Sequence, residues 1–325
     1  MLGLNLSASV RPTSAWWTSG AIFAADFVND RYMRDGVNIT RDEALTVTRP
    51  SPKLARTVAG QWLSFPPDTL ARTDRGASIE PASTNYVQNS TMAGAVPGTP
   101  GTAPTGWTVP TSANGLTRQI VAVGTSNGLP HIDIRFSGTT TAESFLNINL
   151  SSSNQIATLP GDTWTFSCGV ALIGGSLAGL IPALACRLRT AVFSAAGSYI
   201  GELMNDPTIA FGPGEVLQVQ AATVANSSAR FLLPYLQFWH GSGVVIDFTL
   251  RIRAPQFEPS ALTSPIPTTG SITTRAADAI QTNLPQPANI VARYSDGTTD
   301  SYAGDAMSFL LPVTGQKSVV LVEGF

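Results

Sequence analysis

Between Trp107 and Ala254 the chain repeatedly switches between apolar and polar positions. Leu116 to Val123, His131 to Ser137, Ser144 to Leu150, Trp164 to Leu172, Ala185 to Phe193, Val216 to Val224, Arg230 to Trp239 and Val244 to Ala254 each alternate or run apolar. Gly, Pro, Asn, Ser or Asp separates most of them. Period-two segments at this spacing predict an antiparallel sandwich or jelly roll, and the i, i+3, i+4 pattern of a helix is almost missing. Alternation also assigns faces, because successive side chains of a strand point to opposite sides. Ile132, Ile134 and Phe136 belong to one face and His131, Asp133 and Arg135 to the other. Val244, Ile246, Phe248, Leu250 and Ile252 read as core, with Asp247, Thr249, Arg251 and Arg253 turned away. Arg187 and Arg189 alternate with Cys186, Leu188 and Thr190.

Outside that stretch the pattern is looser. Residues 1–84 carry short β-like pieces such as Asn38 to Thr40 and Leu45 to Thr48, and Pro50, Pro52, Pro66 and Pro67 exclude long helices. The adjacent Trp16 and Trp17 near the N-terminus suggest attachment to a particle component, the alternative being packing on their own domain. Residues 92–106, MAGAVPGTPGTAPTG, read as a loop that is functional or covers a strand edge. After Ala277, Pro285 and Pro287 mark a linker, and Ile290 to Tyr294, a turn at Asp296-Gly297, Ser301-Tyr302, Ser308 to Leu311 and Lys317 to Val322 form a small β unit. Alone, that unit is too small to hold a stable core, so association with copies of itself is expected. The expected division is 1–84, an N-terminal attachment and β region; 85–262, the sandwich; and 263–325, a linker and the small C-terminal β unit.

Composition narrows the function. Of 325 residues only 12% are charged, the net charge is −2, and Lys occurs at Lys53 and Lys317 alone. No basic run exists, which argues against nucleic acid as a partner. The N-terminus lacks the charged region and apolar core of a signal peptide, and the most apolar window, Val170 to Ala185, is broken by Gly174, Gly175, Gly179 and Pro182, so no membrane partner is expected. Cys168 and Cys186 read as buried thiols or a single bridge, with no metal-ligand spacing.

Two stretches carry a resemblance. RTDRGASIEPASTNYVQNS, Arg72 to Ser90, and APQFEPSALTSPIPTTGSITTRAADAI, Ala254 to Ile280, resemble the segments that bracket a carbohydrate-binding jelly roll in phage fibre and minor structural proteins. The match lies in Glu80-Pro81-Ala82, Thr84-Asn85, Gln256, Glu258, Ser264, Ile266-Pro267-Thr268, Gly270 and Thr274 to Asp278; Pro265 stands where the family often has an aromatic residue. The organisation is similar to that of head spike fibres of gene transfer agents. The resemblance implies a virion surface protein, made in the bacterial cytoplasm, that binds capsular or other host cell-surface polysaccharide. It implies a homotrimer and a spike base or capsid protein as partner. Physically, Glu80 and Glu258 are placed to pair with Arg72, Arg75 or Arg275 and clamp the two ends of the sandwich together.

Sugar recognition needs aromatic faces and planar polar groups, and no nucleophile. Trp107, Tyr235, Trp239 and His240 are candidate suppliers, a core position being the competing reading of Trp239, which shares a face with Phe231, Leu233 and Tyr235. His131, Asp133 and Arg135 form a polar stripe, and Arg187 and Arg189 a second one. Each stripe suits a glycan contact, a solvated face or a subunit interface, and the arginines favour a carboxylate-bearing sugar. Trp164 reads as core. Catalysis has little material: a glycoside hydrolase needs two carboxylates at close range, and the sandwich has few acids, among them Asp133, Glu143, Asp162, Glu202, Asp206, Glu215 and Asp247. Gly124 to Gly128 matches G-x-S-x-G, but a strand rather than a helix follows it. The chain is therefore expected not to be an enzyme and to need no cofactor, although sandwiches of this kind can hold a structural Ca²⁺. A capsid-decorating spike without glycan binding and a glycan depolymerase are the alternatives.

Overall fold

The computed structural model describes residues 15–151, 156–182, 186–205, 216–304 and 307–325. Asp206, Glu215 and the expected strand start at Ala185 lie outside the described residues. The fold is all-β and antiparallel, and among the described residues the only α-helix is Arg41–Ala44, a single turn started by a capping box between Thr40 and Glu43. No helix among them is long and apolar enough to cross a membrane.

The chain divides into two compact units. The first comprises residues 1–48, 72–79 and 279–325. Its main sheet is built around Ser318–Gly324, which pairs with Phe23–Asp26 on one side and Ile290–Tyr294 on the other. Arg31–Arg34 and Val37–Ile39 continue the sheet from the N-terminal side, and Thr299–Tyr302 closes the Asp296-Gly297 hairpin. Phe23, Met33, Ile290, Val319 and Val322 are fully buried. This corrects the expectation of a separate C-terminal unit completed by other copies. The strand from Ser318 has to be covered on both edges, and residues near the chain's own N-terminus supply the second edge.

The second unit, residues 49–71 and 80–278, contains the sandwich. Its long strands are β1 (Leu116–Ser126), β2 (Leu129–Thr139), β3 (Ser144–Asn149), β4 (Thr163–Ser176), β5 (Arg187–Phe193), β6 (Tyr199–Asn205), β7 (Val216–Thr223), β8 (Phe231–His240) and β9 (Val245–Pro259). One sheet runs β1-β2-β9-β4-β7 and the other β3-β8-β5-β6. The chain changes sheet at most connections, as a jelly roll requires. Between the sheets lie Ile134, Phe136, Phe166, Val170, Phe248, Leu250 and Ile252 from the first and Leu146, Ile148, Leu188, Leu232, Leu236 and Phe238 from the second. At roughly 1.5–3 kcal/mol per buried large side chain, this layer is the main source of the unit's stability.

β1 and β2 are joined through Asn127 and Gly128, both with positive φ (50° and 79°), as the tightest hairpin turns demand. A Cβ on Gly128 would lie 2.2 Å from the Trp62 carbonyl oxygen, so the G-x-S-x-G stretch is a hairpin whose last glycine is fixed by close packing. Residues 92–106 cover the edge of β1. Gly98 and Ile120 exchange backbone hydrogen bonds, and the buried Arg118 guanidinium donates to the carbonyls of Val109, Pro100 and Gly101. That blunts an edge otherwise open to strand addition.

The bracketing segments meet inside this unit. Arg275 pairs with Glu80 at 2.7 Å, Lys53 with Glu80 at 3.2 Å and with Asp278, and Arg49 with Asp278 at 2.8 Å. Glu258 has neutral donors instead: Ser83, Gln256 and both the backbone and the hydroxyl of Thr263. Arg72 belongs to the first unit and pairs with Asp30 at 3.3 Å. The three cations Arg49, Lys53 and Arg275 and the three carboxylates Glu80, Glu258 and Asp278 are all buried, so the cluster is balanced in charge. Burial lowers the Lys53 pKa, and the Glu80 and Asp278 charges beside it oppose that shift. Removing one member of such a cluster strands a partner charge and costs about 3–5 kcal/mol.

Candidate functional site

Both sheets of the sandwich have an outward face, and they differ in kind. On the second sheet the register sets Phe145 beside Trp239, Asn147 beside Gln237 and Arg187, Asn149 beside Tyr235 and Arg189, and Ala191 between Leu233 and Glu202. From the row of Trp239 to the row of Phe231 this face is about 26 Å long at the usual rise per residue.

Its centre is organised by Gln237. The Gln237 Oε1 accepts from Arg189 at 2.6 Å, from the Trp239 indole at 2.8 Å and from Arg187 at 3.1 Å, while its Nε2 donates to Asn147 Oδ1 at 3.1 Å. One neutral amide thus fixes two guanidinium planes and one indole ring on two neighbouring strands. Glu202 stands one row further on. Its Oε1 accepts from the Tyr235 hydroxyl at 2.8 Å and the Tyr199 hydroxyl at 3.1 Å, and Arg189 lies 3.4 Å away. Burial, then the hydrogen bond to Glu202, raises the Tyr235 pKa far above its ordinary value, so this phenol stays protonated and serves as a donor. Burial, then Arg189 beside it, lowers that of Arg187. Exposed rings flank the polar centre. Phe145 and Trp239 lie 5.1 Å apart at one end, and Phe193 and Tyr199 lie 6.0 Å apart at the other.

The outward face of the first sheet holds the other predicted stripe. Asp133 accepts both arms of Arg251 at 2.8 Å each, and Arg135 gives both arms to Asp247 at 2.7 Å each. His131 is buried, 3.9 Å from Asp133. Asp133 and Arg135 are thus engaged as staples between β2 and β9.

The predicted residues therefore separate. Arg187, Arg189, Tyr235 and Trp239 are brought together on one face. His131, Asp133 and Arg135 lie on the opposite side of the sandwich. Trp107 is corrected to a core residue, 7% exposed, with its indole donating to the Asn89 carbonyl. His240 is also corrected: it is fully buried, because it follows Trp239 directly in β8 and so points to the other face. Trp164 is core, stacked on Phe257 at 4.9 Å. Trp16 and Trp17 pack edge-to-face on their own unit against Ala21, Ala24 and Met33, and the Trp16 indole donates to Asn38. Their adjacency thus has an explanation within the chain. Cys168 and Cys186 are buried thiols rather than a bridge. Among the described residues no cluster of His, Cys, Asp and Glu is arranged to hold a metal ion. Sequence reasoning missed Asn147, Phe145, Gln237, Glu202 and Tyr199. Gln237 was accessible from alternation within β8; the others needed the pairing of strands.

Glu202 is the one carboxylate within the strands of this face among the described residues. Glu143, just before β3, lies across two intervening strands and several rows from it, far beyond the ~5–9.5 Å that paired catalytic carboxylates require.

No family model matches the chain, and no curated protein matches it in sequence. Among solved structures it is similar to the CBM22-1 xylan-binding domain of Paenibacillus barcinonensis Xyn10C, at 14% identity and a TM-score of 0.33 over 55% of this chain and 94% of that one. It is also similar to a carbohydrate-binding module of the β-sandwich superfamily, at 13% identity and a TM-score of 0.37 over 72% and 84%. A third likeness is to the tripod from the baseplate of bacteriophage Tuc2009, at 14% identity and a TM-score of 0.32 over 74% and 96%. These likenesses are remote, and the antiparallel sandwich described above stands on its own strands and register.

Proposed function

We propose that the chain is a non-enzymatic structural subunit of a phage-like particle that binds host cell-surface polysaccharide through the outward face of β3, β8, β5 and β6. The observation that carries the reading is the Gln237 network: two arginines, an asparagine and a tryptophan held around one amide, with exposed aromatic rings at both ends. Planar polar groups in fixed orientation hydrogen-bond sugar hydroxyls, and exposed rings offer the apolar faces of a saccharide a surface. Such a site is shallow, and a particle that carries several copies gains avidity of roughly 10²–10⁴ from their linkage. Bracketing motifs that resemble those of phage fibre and minor structural proteins, and an organisation similar to that of gene transfer agent head spikes, support a subunit on a particle surface, a homotrimer seated on a spike base or capsid protein.

The test is adsorption of the purified protein to encapsulated host cells and to cells stripped of capsule. Binding that depends on the capsule and falls in Trp239→Ala is the expected result. Equal binding to both cell types, or none, would leave a capsid-decorating spike as the better description.

A further inference from the structure

At the centre of the face Glu202 and Arg189 each have one side-chain polar atom without a partner among the described residues. The Glu202 side chain is nine-tenths buried, and its Oε1 serves Tyr235, Tyr199 and Arg189, yet Oε2 accepts from none of the described residues. The neighbouring Arg189 donates through Nη1 to Gln237 and faces Glu202 with Nη2, while its Nε donates to none of them. The acceptor and the donor thus belong to the two partners of one 3.4 Å ion pair, and each left unsatisfied carries its desolvation penalty.

We infer that Arg189 and Glu202 form a clamp for a sugar hydroxyl, and that the face selects a neutral saccharide over a carboxylate-bearing one. The inference rests on the glycan-binding reading above. A hydroxyl is both donor and acceptor, so one group satisfies Glu202 and Arg189 together. A carboxylate only accepts. It would leave the Glu202 oxygen unsatisfied and set a second negative charge against it. Arginine composition alone favours an acidic sugar; Glu202, brought in by the neighbouring strand, meets the Arg189 charge and reverses that preference. The route in is also visible. Tyr199 is 58% exposed, and its hydroxyl is the weaker-held of the two phenol donors to Glu202, at 3.1 Å against 2.8 Å for Tyr235. Displacing the Tyr199 hydroxyl from Oε1 uncovers the carboxylate, so that an incoming sugar hydroxyl reaches Oε2.

Affinity electrophoresis of the full chain through gels containing mannan, galactan or xylan, and alginate, hyaluronan or their carboxyl-reduced forms, tests this. A gel with surface polysaccharide extracted from the host serves as reference. Expected is retardation by a neutral polymer, reduced about tenfold or more by Glu202→Gln, which turns Oε2 from acceptor to donor, and by Arg189→Lys, which keeps the charge but loses Nε. Tyr199→Phe, which keeps the ring but removes the competing hydroxyl, increases retardation. Unchanged melting temperatures show that the variants fold. Retardation by an acidic polymer that disappears on carboxyl reduction and strengthens in Glu202→Gln would overturn the clamp while leaving glycan binding standing. So would retardation that Trp239→Ala abolishes but Glu202→Gln and Arg189→Lys leave intact. No retardation in any gel, the host polysaccharide included, would remove both readings.

Discussion

The two outward faces of the sandwich use the same residue type to different ends. On the first sheet each outward arginine of the pairs described meets a carboxylate with both arms, Arg251 on Asp133 and Arg135 on Asp247. On the second sheet Arg187 and Arg189 converge on the single neutral oxygen of Gln237, and the one carboxylate at hand keeps an oxygen without a partner among the described residues. Arginine on a strand therefore says little about binding until its acceptor is known. A bidentate carboxylate makes it a staple, whereas a shared amide orients it and leaves hydrogen-bonding capacity for something else.

The largest effect that would break this contrast is expected at Asp133. Asp133→Asn leaves Arg251 opposite a neutral group at a position only 3% exposed. Because Arg251 keeps some access to water, the loss should be about 2 kcal/mol, below the ~3–5 kcal/mol of a fully buried pair. Urea denaturation reads it, and polysaccharide binding should be untouched. Gln237→Leu acts in the other direction. It removes the acceptor shared by both arginines and the indole, so binding should fall more than tenfold, with a stability loss of about 1–3 kcal/mol. If binding survived, the network would be a staple like the first face.

A smaller effect is expected at His131. Its pKa is lowered by burial and then by the Arg251 guanidinium, with Arg253 acting in the same sense and Asp133 against it. The unfolded chain therefore takes up this proton at the ordinary value of 6.5 while the folded chain resists. Stability is full above that pH and declines as pH falls below it, until the folded pKa is reached. His131→Gln should flatten this part of the pH profile of the denaturation midpoint. The smallest effect belongs to Arg135→Ala. The Arg135–Asp247 pair is exposed, so neither the midpoint nor binding should move measurably. A clear loss of binding there would return the first face to consideration.

Much of the sandwich was legible because one buried face imposes period two on each strand, and the eight expected segments correspond to strands. Face membership was legible for Tyr235 with Trp239 and for Arg187 with Arg189. The same rule excludes His240, which directly follows Trp239, so its selection as a binding residue ran against the alternation. Residues contributed across strands were not legible. Phe145 reaches Trp239, and Glu202 reaches Arg189 and Tyr235, only through pairing, and nothing local encodes register between residues 13 to 94 positions apart. Trp107 was misread because its indole finds a backbone carbonyl, which lets a polar-edged ring be buried. The joining of the chain's two ends in one sheet, Phe23 opposite Gly324, has no trace in either segment alone.

The backbones of Glu80 and Asp278 are hydrogen-bonded to one another: the Glu80 N–H donates to the Asp278 carboxylate at 2.8 Å and the Asp278 N–H to the Glu80 carbonyl at 3.0 Å. The 80–278 stretch therefore begins and ends at one point, like a loop drawn closed by a knot. A different sandwich spliced between these two residues would leave this junction closed, provided that it returned a cation to Glu80 in place of Arg275 and a surface for residues 49–71, which pack with the sandwich. Specificity can then be exchanged by grafting a whole recognition module rather than by altering a surface residue by residue.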